Sequence, residues 1–217
     1  VNEKIIGIIS IFTNILPAIA GMVIFYKAGF KHRLLVFFLL FGFLTDLLKW
    51  QLYDHGNIAV AKSLFYFYSL VEPAFLCWFI YKSCSHALVS KTALTLAFVL
   101  PLFWIFTHFD FTWLTWKKNT SEAIFNTVYG MVISILASYS ILRLTQQNEP
   151  LLAIPDFWFL GAIFFYCFCT FFVKAFLQTS YMDQFWFIHD LFNIMTCFIY
   201  AYGFLKIETN KFPLPLL

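Results

Sequence analysis

Seven apolar runs follow one another from Ile5 to Leu205 with only short polar breaks between them. Each is about 20 residues long, the length a helix needs to cross a bilayer core. This succession constrains the chain more than any other feature. In hydrocarbon every backbone polar group must be satisfied internally, and long continuous apolar runs achieve that as helices. The expected fold is all-α, a polytopic seven-transmembrane-helix bundle with helices over about residues 5–26, 34–53, 58–82, 88–107, 120–144, 157–178 and 184–205. The runs leave no room for a soluble domain, so residues 1–217 read as one membrane domain in contact with the lipid bilayer.

Charge and cysteine usage narrow the function. Charged residues make up 12% of the chain and hydrophobic ones 62%, against about 25% charged in soluble domains. The net charge of +3 sits mostly at helix ends, which carries topology information and excludes a nucleic-acid footprint. Cys77, Cys84, Cys167, Cys169 and Cys197 avoid the predicted outer loops, so they imply no disulfide framework and read as small packing residues. Ala18-Ile19-Ala20 resembles a signal-peptide cleavage site, but the run continues to Tyr26 and then meets Lys27, Lys31 and Arg33. A retained first helix is expected.

Orientation follows from the basic residues. Lys27, Lys31, Arg33, Lys82, Lys91, Arg143, Lys206 and Lys211 collect on one side, and Lys4, Lys117 and Lys118 on the other. The first group marks the cytoplasmic face. The N-terminus is then outside and the C-terminus cytoplasmic, in a cell membrane read as the bacterial inner membrane. Lys49, Lys62 and Lys174, near outer helix ends, narrow the excess. The fourth run offers only Thr92, Thr95 and Pro101 as interior breaks and is expected to face lipid. The aromatic residues after it (Trp104, Phe106, Phe109, Phe111, Trp113, Trp116) read as interfacial anchors.

Against this apolar background the polar residues stand out. In the last run His189, Asn193, Thr196 and Tyr200 recur at helical spacing and make one stripe, with Asp190 beside it. Asp46 and Lys49, one turn apart, read as an intrahelical pair. The third run carries Lys62, Tyr66, Ser69 and Glu72, the fifth Glu122, Asn126 and Tyr129, and the sixth Tyr166, Thr170 and Lys174. Asn14, Pro17 and Gly21 share one face of the first run, a place for a bend or a close neighbour. At about 1.5 Å rise per residue, Asp46, Lys174 and His189 lie roughly 6–10 Å below the outer edge, with Glu72 near the midplane. The inner halves are filled by Phe, Leu and Ile. A polar cavity open to the outside and closed toward the cytoplasm is expected. Each such group costs about 2.5–3.5 kcal/mol on insertion scales, which makes it a functional candidate. Mutual neutralisation of acids and lysines as helix–helix glue is the competing reading.

Several segments together resemble an uncharacterised family of small seven-helix bacterial membrane proteins: FLTDLLKW around Asp46, YSLVE ending at Glu72, PDFWFLG from Pro155 and IHDLFN around His189. The resemblance implies a seven-helix bundle with Asp46, Glu72, His189 and Asn193 as its polar positions, and implies no particular activity. A microbial rhodopsin would need a lysine midway along the last helix, where only Lys206 stands near its end. The seven-helix zinc amidohydrolases carry HxxxH in the last helix, where this chain has His189 followed by Asn193. The paired aspartate signatures of the lysoplasmalogenases are absent.

Two functions fit. In the first, the outward pocket binds a small polar or amphiphilic ligand, and the protein acts as a sensor or accessory subunit for a cytoplasmic or membrane partner. In the second, it is an intramembrane hydrolase of a lipid or lipid-linked substrate, with Glu72 or Asp46 as base and His189 as acid or ligand. Zinc held by His189, Asp190, Glu72 and Asp46, or Ser69 activated by His189, would require those groups to meet. A lone interior histidine favours binding. The residues identify no cofactor.

Overall fold

The computed structural model describes the backbone of residues 3–110, 115–116, 120–146, 150–176 and 182–209, and side chains over 5–108, 125–146, 150–173 and 187–208. The first span is broken into α1 (Glu3–Thr13) and α2 (Ile15–Val23). Then follow α3 (Phe30–Asp54), α4 (Ile58–Ser83), α5 (Ala87–His108), α6 (Thr120–Leu144), α7 (Pro155–Phe176) and α8 (Met182–Thr209). With α1 and α2 taken together as the span Ile5–Val23, seven helical stretches are long and apolar enough to cross a membrane, and the fold is all-α as expected. Among the described residues a pair of two-residue strands, β1 (Phe109–Asp110) and β2 (Thr115–Trp116), also pairs antiparallel.

Helix ends have local causes. Gly29 caps α3 in an extended conformation (φ −69°, ψ 163°), so Lys31, His32 and Arg33 lie in its first turn and not in a preceding loop. Gly56 takes φ +77° after α3, where a side chain would be strained. That residue lets Asn57 N–H reach back to the Leu52 carbonyl at 2.8 Å and close the helix end. Pro155 opens α7, where its missing N–H costs nothing. Pro17 lacks the N–H that would bond the Thr13 carbonyl, and the first span breaks there at Asn14. Pro73 does the same to the Ser69 carbonyl in the middle of α4.

The spans pack in a closed ring: α2 on α3, then each on the next through α7 and α8, with α8 returning to α1 and α2. Helix α4 also reaches across to α6 and α7, which aims its residues at the bundle axis. Close approach depends on small residues. A Cβ at Gly21 would sit 2.3 Å from Val36 Cγ2, and one at Gly203 2.8 Å from Phe159 Cε1. These contacts bring α2 against α3, and α8 against α7. The dry core gathers toward the end carrying Lys27 and Lys82, hereafter the basic end. Leu35, Phe79, Ile80, Phe159, Leu160 and Phe204 are fully buried there, with Phe159 ringed by Phe79 and Phe204. Helix α5 lies on the rim against α4 and α6 and exposes Leu88, Phe98, Leu102 and Phe106.

Trp104 departs from the interfacial role expected of it. It lies within α5, buried at 2% exposure, and donates from Nε1 to Ser69 Oγ at 2.9 Å. Its indole has found an interior hydroxyl, which anchors it more firmly than the bilayer surface. Phe106 is exposed; Phe111 and Trp113, and the side chains of Phe109 and Trp116, lie outside the described residues.

Candidate functional site: a polar interior in two clusters

The first cluster forms where the first span breaks. Asn14, at the break, donates from Nδ2 to Asp46 Oδ2 at 3.0 Å. Its Oδ1 accepts from Asn193 Nδ2 at 3.0 Å and from the Cys197 thiol at 3.1 Å. Asn193 Nδ2 is also 3.0 Å from Ser10 Oγ. Lys49 Nζ donates to the other oxygen of Asp46 at 2.9 Å, the expected pair on one helix face. One amide, donating once and accepting twice, thus ties the break in the first span to α3 and α8. Next along α8, Asp190 Oδ2 would lie 3.6 Å from a Cβ at Gly7. His189 Nδ1 is 3.7 Å from Asp190 Oδ1, an electrostatic contact too long for a hydrogen bond.

The second cluster surrounds Glu72, buried in α4 at 6% exposure. Tyr129 of α6 donates to Oε2 at 3.1 Å, Tyr166 of α7 also hydrogen-bonds the carboxylate, and Tyr68, one turn back, stands at 3.5 Å from Oε1. Tyr68 Oη is accommodated by Gly42 of α3, where a Cβ would lie 3.2 Å from it. The crossing of α4 to α6 and α7 is what brings these hydroxyls together.

The expected site residues divide as follows. Asp46, Lys49, Asn193, Glu72 and Tyr129 are brought into these clusters. His189 and Asp190 flank the first. Asn126 and Thr170 are buried on α6 and α7. Ser69 accepts from Trp104 and donates to the Tyr66 carbonyl at 3.0 Å, while the Tyr66 ring packs on Trp104 and His108. That environment is not the His189 partnership a serine mechanism needs. Lys62 is exposed and stands apart from the clusters. The side chains of Glu122 and Lys174 lie outside the described residues. Among the described residues no three His, Cys, Asp or Glu side chains group to hold a metal ion. His189, Asp190, Glu72 and Asp46 therefore do not form the joint ligand set considered for zinc. All five cysteines are free.

Sequence reasoning passed over two positions. Asn14 read as a packing residue, although an amide in an apolar run is itself a signal. Asp156 was seen only within PDFWFLG. In the structure it sits in the first turn of α7, where the helix dipole favours an anion. It pairs with Lys31 and, at 2.9 Å, with His32 Nε2. Lys31 also reaches Ser83 of α4 at 3.4 Å, so this contact clamps α3, α4 and α7 at the basic end. Lys27 and Glu208, 2.7 Å apart, tie the segment between α2 and α3 to α8.

Fold and interior together define an integral, multi-pass membrane protein with seven helical spans and a hydrogen-bonded polar core. Comparison with protein-family models, with curated proteins and with solved structures finds no match to this chain.

Proposed function

We propose that the polar interior is a binding site for a small polar or amphiphilic ligand, and that the protein acts as a sensor or an accessory subunit for a membrane or cytoplasmic partner. The observation that carries this reading is the surroundings of Glu72. A carboxylate buried at 6% exposure and faced by tyrosines from three helices offers negative charge beside aromatic rings. That chemistry receives an ammonium or another strong hydrogen-bond donor. The Tyr68 contact at 3.5 Å is the weakest of the set and the one a ligand donor would displace. Because the cage spans α4, α6 and α7, occupancy would bias how those helices pack, which is what a sensor requires. The distribution of Lys and Arg supports placing the basic end in the cytoplasm of a bacterial inner membrane. The hydrolase reading has no comparable observation behind it: Ser69 is bonded to Trp104 and the Tyr66 carbonyl, and among the described residues no three His, Cys, Asp or Glu side chains group together.

The test is retention of a ligand by the purified full chain in lipid nanodiscs. The protein is incubated with a small-molecule extract of membranes, washed, denatured, and the released molecules are identified by mass spectrometry. One discrete amine-bearing or amphiphilic molecule, near one per chain, is expected. Release of nothing beyond bulk lipid contradicts the reading, and release of a cleaved lipid product would replace it with the hydrolase.

A further inference from the structure

Cations at the basic end are handled differently in two sectors. Around α3 and the start of α7 they have carboxylate or carbonyl partners, while Lys206 of α8 lies over the Tyr202 ring at 5.2 Å. Lys31 and His32 take Asp156, Lys27 takes Glu208, and Arg33 caps the carbonyls of Phe25, Tyr26 and Ala28. Around the ends of α4, α5 and α6 they do not. Lys82 lies over the Tyr81 ring at 4.7 Å and Arg143 over the Tyr139 ring at 5.0 Å. The hydrogen-bond partners of Arg143 are the neutral Tyr139 hydroxyl and Gln146 Oε1. Lys91, in the second turn of α5, is exposed. Among the described residues none of these three cations makes an ion pair.

The three belong to one patch. Ser90 Oγ donates to the Tyr81 carbonyl at 3.4 Å, joining the start of α5 to the end of α4. The His86 ring packs edge-on against Tyr139 at 6.0 Å, joining the intervening loop to the end of α6. Exposed apolar side chains accompany the cations on the same helices: Leu88 one turn before Lys91 in α5, Leu142 next to Arg143 in α6, and Ile135 two turns further into α6. A positive rim above an apolar wall, with tyrosines at the boundary, matches a phosphate headgroup with its acyl chains running down the helices.

We infer that the ends of α4, α5 and α6 form a binding site for an anionic phospholipid, with Lys82, Lys91 and Arg143 holding the headgroup phosphate. The occupant is a lipid and not a free anion because the cations continue into the exposed leucine and isoleucine surface. The site shares no residue with the Glu72 cluster.

Native mass spectrometry of the full chain, released from micelles containing equal phosphatidylglycerol and phosphatidylcholine, tests it. The wild type is expected to retain phosphatidylglycerol selectively. Replacing Lys82→Gln, Lys91→Gln and Arg143→Gln should lower that preference by about fivefold per cation, and the single Lys91→Gln, at an exposed position, should give a partial loss without risk to folding. Lys62→Gln, an exposed cation distant from the patch, should change nothing. Equal retention of the two lipids by the wild type overturns the proposal, as does an unchanged preference in the triple variant. Equal protection by inorganic phosphate alone marks a plain anion site and overturns the lipid assignment.

Discussion

Glu72 and Asp46 are two carboxylates inside one bundle, and the protein surrounds them with different chemistry. Asp46 is about a third exposed, with a side-chain exposure of 33%, and takes a cation from its own helix plus one amide from the broken first span. Glu72 is nearly enclosed and is faced by tyrosine hydroxyls from α4, α6 and α7. The difference follows from depth. Near the helix end a lysine can reach a carboxylate and keep its stem along the apolar surface. At the bundle axis a second charge would itself have to be desolvated, and neutral donors avoid that cost. Asp46 therefore looks held together from within, whereas Glu72 depends on three helices staying in place.

That contrast predicts unequal sensitivity. Glu72→Ala should be the most damaging change, because it leaves buried tyrosine hydroxyls without their acceptor at about 1–3 kcal/mol each. A large fall in the thermal midpoint in nanodiscs is expected, with Glu72→Gln, which keeps an acceptor, falling far less. Equal falls for the two would show that the cage contributes little. Asn14→Leu comes next: it removes the amide joining the break in the first span to α3 and α8, and interhelical hydrogen bonds in membranes average about 0.6 kcal/mol each, so about 1–2 kcal/mol is expected from the same melting curves. No change would mean that the break is held by packing around Gly21 alone. Asp156→Asn, at the partly exposed clamp of α3, α4 and α7, should cost about 1 kcal/mol at low salt and less at high salt. A salt-independent loss would point to the amide's geometry and not to charge. Lys49→Met should be the smallest, about 0.5 kcal/mol or less, since Asp46 keeps Asn14. A larger effect would make Asp46 and Glu72 alike and remove the contrast.

How far the sequence reached depends on which interaction set each feature. Span number and positions were legible because hydrophobic length alone fixes them. The Asp46–Lys49 pair was legible because both residues lie on one helix. The Glu72 cage was half legible: Glu72 and Tyr129 stood out, but only the crossing of α4 to α6 and α7 assigns Tyr68 and Tyr166 to the same carboxylate. Asn14 was undervalued because its partners are 32 and 179 residues away. Trp104 was misplaced because composition places tryptophan at interfaces on average, while the Ser69 hydroxyl of α4 offered a buried partner. The second helix was expected from residue 34, but it starts at Phe30, because helix onset at Gly29 is a backbone event that hydropathy does not mark.

The most direct test is native mass spectrometry of wild type, Glu72→Gln and Asp156→Asn, each purified gently from its own membrane. If the interior is a binding site, the wild type and Asp156→Asn carry the same discrete non-lipid or amphiphilic adduct, and Glu72→Gln has lost it while remaining folded. If all three are equally empty, or carry the same adduct, then Glu72 and its tyrosines hold helices together and bind nothing.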